Sequence, residues 1–506
     1  MNKVFEVFKK YQIIIYCLVL SFWLLLFASK NSFLYPLNDW VDANAFFTVG
    51  KSMMNGVVPY RDLFEQKGLL LYVIYGIGYL LSNKSFHGVF VIEVLFFAVF
   101  LYYVHKIIEL FLDKKYSYVI LPILGFFITT SFAFTHGGSA EEFCFPFFAI
   151  TLYTFLKYFK EDEISNKEIF LNGFLAGCVF LIKYTLLGFW FSFMMFLFFA
   201  MVRRKEFRKS LLSCGWFLLG MFSPIAVALV YFVATKSLGA FIECYFTINM
   251  TAYNVTELPL IEKIIQIYTG MIGSLLNNGL IVFFSIIFVP LFVVNLKIEK
   301  EGKFALVGMV LITILGLFWG MHFYRYYMLP MFVFMILAFV SIGLYFKDFM
   351  DKVHKMKYSF VLYIMIFLGM IGLTWYNANY REMILMDKSE MFQFKYADYI
   401  SHYDNPTLLN MAYLDGGLYT TTGIVPNTRF FEVQNIPYDK FPDNLDEMRK
   451  AVENKEVLFI LYYTREDIDY IKKNDGYIFD NYEFVFDDIY YCEHEEYRAF
   501  LFQAKE

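Results

Sequence analysis

The sequence predicts a polytopic α-helical membrane protein that closes with a small soluble α/β domain. Three observations predict it. Of the 506 residues 59% are hydrophobic and 22% aromatic, and the mean hydropathy is +0.52, far more apolar than a water-soluble domain. Apolar runs of the roughly 17–25 residues that a bilayer core requires recur from residue 12 to residue 376. From about Asn377 the composition turns polar: residues 377–506 hold 13 Lys+Arg against 25 Asp+Glu, where residues 1–376 hold 30 against 22. The net charge of -4 thus hides a slightly basic membrane body, 1–376, and an acidic domain, 377–506. That balance argues against a nucleic-acid partner.

Spans are expected at 12–28, 86–104, 116–134, 143–159, 168–182, 185–202, 210–234, 279–296, 304–320, 326–346 and 358–376. The first follows a basic patch (Lys3, Lys9, Lys10) with no small-residue cleavage site, so it reads as an uncleaved span. Basic connections at Lys106/Lys114/Lys115, Lys157/Lys160/Lys167, Arg203–Lys209, Lys297–Lys303 and Lys347–Lys357 fall on one side only if Leu69–Leu81 does not cross. That run is short for a span. Its Tyr72, Tyr75 and Tyr79 form a helical stripe, which suits a helix lying in the membrane interface. The expected count is then about 11 spans, with the N-terminus cytoplasmic and the C-terminal domain outside; the lack of cysteine pairing and the short loops suit a bacterial plasma membrane. Segment 263–278 reads as a half-span, an interfacial helix or a full span.

In the tail, strands are expected at Thr407–Ala412, Val457–Tyr462, Tyr482–Phe486 and Ala499–Gln503. Helices are expected at Met391–Ser401, Asp443–Glu453 and Glu466–Lys473. The six cysteines are scattered, without the spacing of a disulfide framework or a metal site. No phosphate-cradling GxxxxGK[ST] occurs, and the cytoplasmic connections are too short to hold a nucleotide domain.

The orientation puts segments 30–85, 135–142, 183–185, 235–262 and 322–325 outside, and these carry most of the candidate chemistry. In the first outer loop, 29–85, Asp42 precedes an amphipathic helix with Phe46, Val49 and Met53 on one face and Asn44, Thr48, Lys51 and Asn55 on the other; Gly56 and Pro59 end it. Asp42 is read either as the N-cap alone or as a carboxylate aimed at a groove, with Asp39 competing for that role. PYRDLFEQKG gathers Arg61, Asp62, Glu65 and Lys67: a solvated charged turn, or groups that meet a phosphate and an acceptor. In HGGSAEEF, Gly137-Gly138 permits a tight turn, and Glu141 and Glu142 open the next helix. Two adjacent acids exceed what capping needs, so one is a candidate to orient an acceptor or hold a divalent cation. Lys183 interrupts an apolar stretch and is cheapest at an outer hairpin tip, where it either snorkels or pairs with lipid phosphate. His322 and Arg325 sit at another span mouth, as interfacial anchors beside tyrosines or as phosphate ligands.

At these residues the chain resembles the GT-C superfamily of integral-membrane glycosyltransferases, and within it bacterial relatives of the protein O-mannosyltransferase group (family 39). The segments that carry the resemblance are DANAFFTVGKSMMNGVVPYRDLFEQKG and GGSAEEFCFPF, with looser matches in FLIKYTLLGF, HFYRYYMLP and DGGLYTTTGIVPNTRFF. Leu69 stands where the family pattern has Pro. The resemblance implies a GT-C-like fold with in-plane helices in the first outer loop, a catalytic Asp matched by Asp42, and a polyprenyl-phosphate-linked sugar donor. The expected activity is inverting transfer of that sugar to an extracytoplasmic glycan, lipid or protein. Asp42 would be the base, Glu141 and Glu142 would position the acceptor, and cations such as Lys67, Lys183 and Arg325 would meet the phosphate. Sugar, acceptor and metal dependence stay open, no cofactor is certain, and a transporter or flippase of a lipid-linked or small solute is the alternative.

Overall fold

A computed structural model describes the chain except residues 1, 254–257, 279–288, 291–292, 295–297, 412–413, 493–494 and 506. The chain divides into two compact units. The first comprises Met1–Ser29, Val91–Val227 and Thr256–Arg381; the second comprises Lys30–Phe90, Ala228–Val255 and Glu382–Glu506.

Helices in chain order begin with α1 (Asn2–Ala28), α2 (Val41–Met54), α3 (Leu69–Leu81), α4 (His87–Phe111) and α5 (Ser117–Thr129). There follow α6 (Ala140–Glu161), α7 (Asn166–Phe180), α8 (Gly188–Arg203), α9 (Phe207–Ala234), α10 (Leu238–Ile242) and α11 (Leu260–Leu276). Next come α12 (Lys300–Phe318), α13 (Met335–Tyr345, led in by the 3-10 turn Arg325–Phe334), α14 (Lys347–His354) and α15 (Ser359–Tyr376). Among the described residues, seven helices are long and apolar enough to cross a membrane: Tyr11–Ala28, His87–Phe111, Tyr184–Arg203, Phe207–Ala234, Lys300–Phe318, Arg325–Tyr345 and Ser359–Tyr376. Only 6% of the last is buried in the protein, so its apolar surface is left for lipid. Three more expected spans form helices, α5, α6 and α7; the expected span 279–296 falls largely outside the described residues. Segment 263–278 lies mostly within α11, whose 17 residues bury only Ile267 fully. The protein is a multi-pass membrane protein.

Local sequence explains the helix ends of the first unit. Ser139 accepts a hydrogen bond from the Glu142 N–H at the start of α6, and Asp162 closes that helix in the left-handed conformation. Ser165 and Glu168 form a reciprocal capping box on α7.

The second unit holds α2 and α3, joined by a turn-rich segment, and the C-terminal sheet. Helices α16 (Phe392–Ile400), α17 (Leu418–Thr422), α18 (Pro442–Glu453), α19 (Ile468–Asn474) and α20 (Ile478–Asn481) surround strands β1 (Leu408–Asn410), β2 (Phe459–Thr464), β3 (Tyr482–Cys492) and β4 (Glu495–Ala504). The strand order is β1-β2-β4-β3, with β1 parallel to β2 and the rest antiparallel. This is the small α/β architecture expected of the tail, with strands within a few residues of their expected places.

Helix α3 spans Leu69–Leu81 as the sequence predicts, but two of its three tyrosines turn into the protein, and only Tyr79 stays partly exposed. Tyr72 and Tyr75 are fully buried, Tyr75 packs edge-on against Phe46 of α2, and the exposed face is Ile77, Leu80 and Leu81. The reason is chemical: a phenol ring fills a core as well as an interface if its hydroxyl finds an acceptor. Tyr72 finds one in the Glu65 carboxylate.

Candidate functional site

In the second unit the segment before α2 is knotted by side chains. Lys30 and Asp39 form a buried ion pair, Asn38 donates to the Asn31 side chain at 2.7 Å, and Asn44 donates to the Asn38 and Trp40 carbonyls at 2.8 and 3.0 Å. Asp39 is thus buried and committed to Lys30. Asp42 is not the N-cap: Trp40 takes that place with no side-chain bond, and Asp42 is the second residue of the helix. It is half-buried, whereas Ala43–Ser52 are all buried. An acid in the first turn suits the positive end of the helix dipole.

Both faces of α2 are covered, so it does not lie bare along a membrane. Its polar face meets the segment Asp415–Thr420. Thr420 donates to Asn44 at 2.8 Å, Thr48 donates to Asp415 at 2.7 Å, and the Lys51 ammonium donates to the Tyr419 carbonyl at 2.7 Å. Burial pushes the Lys51 ammonium down to about 7, with Asp415 opposing that shift and Lys84 adding to it. Burial likewise raises Asp415 and drives Glu432 well above the carboxylate range.

The four charged residues of 59–68 part company. Arg61 and Asp62 pair with each other at 2.6 and 2.7 Å, and Arg61 also donates to the Thr235 carbonyl. This is the solvated-turn arrangement, an exposed pair that contributes little to stability. Glu65 is buried, accepting from Tyr72 and from the Lys67 N–H, and the Lys67 ammonium lies 5.6 Å from the Phe46 ring centre on α2.

The first unit holds the other candidates. Lys183 is not at an exposed tip: it is 8% exposed and pairs with Glu141 at 2.5 Å. Its ammonium sits 3.4 Å from the Tyr327 ring centre. The ion pair and the ring offset the cost of removing the charge from water. The second Glu141 oxygen is buried without a hydrogen bond. Arg325 stacks over Phe132 at 4.0 Å, and His322 stacks on Tyr324 at 5.7 Å. Tyr326 and Tyr327 tie the 322–327 segment to Lys183, so Glu141, Lys183 and Arg325 belong to one neighbourhood.

Glu142 turns the other way. It accepts from the Gly138 N–H at 2.7 Å, and its carboxyl lies against that of Glu93 on α4. Glu93 in turn accepts from Ser29 at 3.0 and 3.2 Å. Sequence reasoning missed Glu93 by reading 86–104 as an ordinary span. The available signal was a lone acid in a long apolar run, which is a functional candidate by default. It missed Asp415 too, where the sequence offers only a turn. Among the described residues no three Asp, Glu, His or Cys side chains are placed to hold a metal ion.

The chain shares its fold with solved structures of ArnT. The chain aligns with ArnT from Cupriavidus metallidurans bound to undecaprenyl phosphate at a TM-score of 0.60, over 97% of each chain and with 11% identity. It aligns with the same protein in its apo state at 0.57, over 99% of this chain and 98% of that one, again at 11% identity. By sequence, residues 3–357 match the family described as "Putative competence-induced protein Ccs4 N-terminal domain", and the chain belongs to that family. No curated protein matches it in sequence.

Proposed function

We propose that this protein is a membrane glycosyltransferase that moves a sugar from a polyprenyl-phosphate-linked donor to an extracytoplasmic glycan, lipid or protein. The observation that carries the reading is the fold shared, along nearly the whole chain, with a protein crystallised with undecaprenyl phosphate. Residues 1–376 form the catalytic membrane domain and 377–506 an extracytoplasmic domain, with the N-terminus cytoplasmic and the membrane a bacterial plasma membrane.

The chemistry asks little of an acid, because the donor's phosphate is already a good leaving group. Asp42 takes the proton of the acceptor hydroxyl, a contribution of about 10²–10⁴-fold. Lys183, Arg325 and Lys67 meet charge building on the phosphate oxygens. Glu141, one of whose oxygens has no hydrogen bond, positions the acceptor. One displacement inverts the anomeric centre. The polyprenyl tail has an apolar place to lie: a groove of about 600 Å³ in the first unit, lined by side chains such as Trp190, Phe191, Phe198, Phe217 and Met221.

The test is consumption of a panel of polyprenyl-phosphate sugars by reconstituted protein, wild type beside Asp42→Asn. Wild type consumes one donor and Asp42→Asn, folded and inserted, loses at least about 100-fold in rate. A folded Asp42→Asn with full activity removes Asp42 from the role. Lipid movement without sugar transfer by wild type replaces the reading with that of a flippase.

A further inference from the structure

Helix α2 carries Asp42 near its start, yet its polar face is gripped from far along the chain. Asn44, Thr48 and Lys51 stand at i, i+4 and i+7, so they share one face, and each is fully buried. All three bond to the segment 415–420. Asn44 is the pivot. Its carbonyl oxygen takes the Thr420 hydroxyl at 2.8 Å, and its amide holds the Asn38 and Trp40 carbonyls, so Thr420 is two hydrogen bonds from the backbone on which Asp42 is hung.

The gripping segment is itself held in shape. The Gly417 N–H donates to Asp415 at 2.9 Å, and the Asp415 N–H donates to Glu432 at 2.6 Å. Gly417 has φ +96°, and a Cβ there would come within 3.0 Å of Leu37 and 3.2 Å of the Asn44 side-chain oxygen. Only glycine fits both the conformation and the approach.

We propose that Asp415–Thr420 is a positioning element for the reaction, with Thr420 acting through Asn44, and Asp415 through Thr48, to set where the Asp42 carboxylate stands. This rests on the reading of Asp42 as the base. A general base must stay within hydrogen-bond reach of the proton it takes, and small misplacements are costly in rate rather than in folding. The C-terminal domain therefore has a share in catalysis without touching substrate.

The experiment compares Thr420→Val, which keeps shape and loses the hydroxyl, with Thr420→Ser, which keeps the hydroxyl, in full-length protein in nanodiscs. Two quantities are read: steady-state donor consumption, and amide hydrogen exchange across 38–48. Thr420→Val lowers kcat about 10- to 100-fold with donor KM within about twofold. It speeds exchange across 38–48 but not across β2 and β4, and Thr420→Ser restores both. Unchanged kcat and exchange in Thr420→Val overturn the proposal. Exchange that quickens equally in β2 and β4 also overturns it, since the segment is then only part of the domain core. If wild type and a folded Asp42→Asn consume a donor equally fast, the assignment of Asp42 fails. The exchange arm then shows separately whether 415–420 holds 38–48.

Discussion

Lys51 keeps an ammonium group out of water beside a single acid, and that has a consequence for stability. In the unfolded chain Lys51 holds its proton up to its ordinary value of 10.5, but in the folded protein only to about 7. Between these values the unfolded state binds more protons, so this contribution to stability rises with pH through that window. Asp415, raised by the same burial, acts in the opposite sense, losing stability as pH climbs out of the ordinary carboxylate range. An Asp415→Asn background isolates the lysine. In that background the melting temperature of the Lys51 protein gains on that of Lys51→Met as pH goes from about 7 to 9; a difference that stays flat rules the buried titration out. At this scale the sequence was legible for type more than for place. Lys51 was read as one of the polar residues of α2, and Glu141 and Lys183 were both singled out. That the last two are partners is a fact of packing between segments 42 residues apart, which no local pattern records.

Helices α2 and α3 show how far periodicity carries. The 13-residue run Leu69–Leu81 came through with both ends in place, because Gly68 and Ser82 bound an uninterrupted apolar stretch. Which face turned inward did not, because tyrosine is at home in either setting. The two helices touch backbone to backbone: a Cβ on Gly50 would lie 2.6 Å from the Gly76 nitrogen and 2.8 Å from the Tyr72 carbonyl oxygen. Gly50→Ala must push them apart, at about 1–3 kcal/mol. Gly215→Ala in α9 has nothing within 4 Å and is neutral or stabilising by up to about 1 kcal/mol. Thermal unfolding of the two variants side by side checks the contrast; equal melting temperatures would remove the close crossing.

For the whole molecule, composition and run length were enough for the membrane class, and motif order pointed to the fold that the chain shares with ArnT. They could not tell that the second unit is assembled from 30–90, 228–255 and 382–506, since such pairing is decided by contacts hundreds of residues apart. The proposed orientation makes a prediction at this scale. In a cysteine-free background, a cysteine replacing the exposed Lys440 is labelled by an impermeant maleimide on intact cells. One replacing Lys347 is labelled only after the membrane is opened. The reverse pattern inverts the orientation, and with it the side on which Asp42 works.

The interleaving of the second unit also sets a clock. Thr48 and Asp415 are separated by 367 residues, which at roughly 5–20 residues per second takes on the order of 20–70 s to synthesise. Throughout that interval α2 has been made while Asp415, Tyr419 and Thr420 have not. A newborn chain must therefore carry Asn44, Thr48 and Lys51 uncovered while most of its helices are still being inserted. A chaperone or the insertion machinery has that long to shield them, and a chain stopped at the end of the family match, residue 357, would never cover them at all.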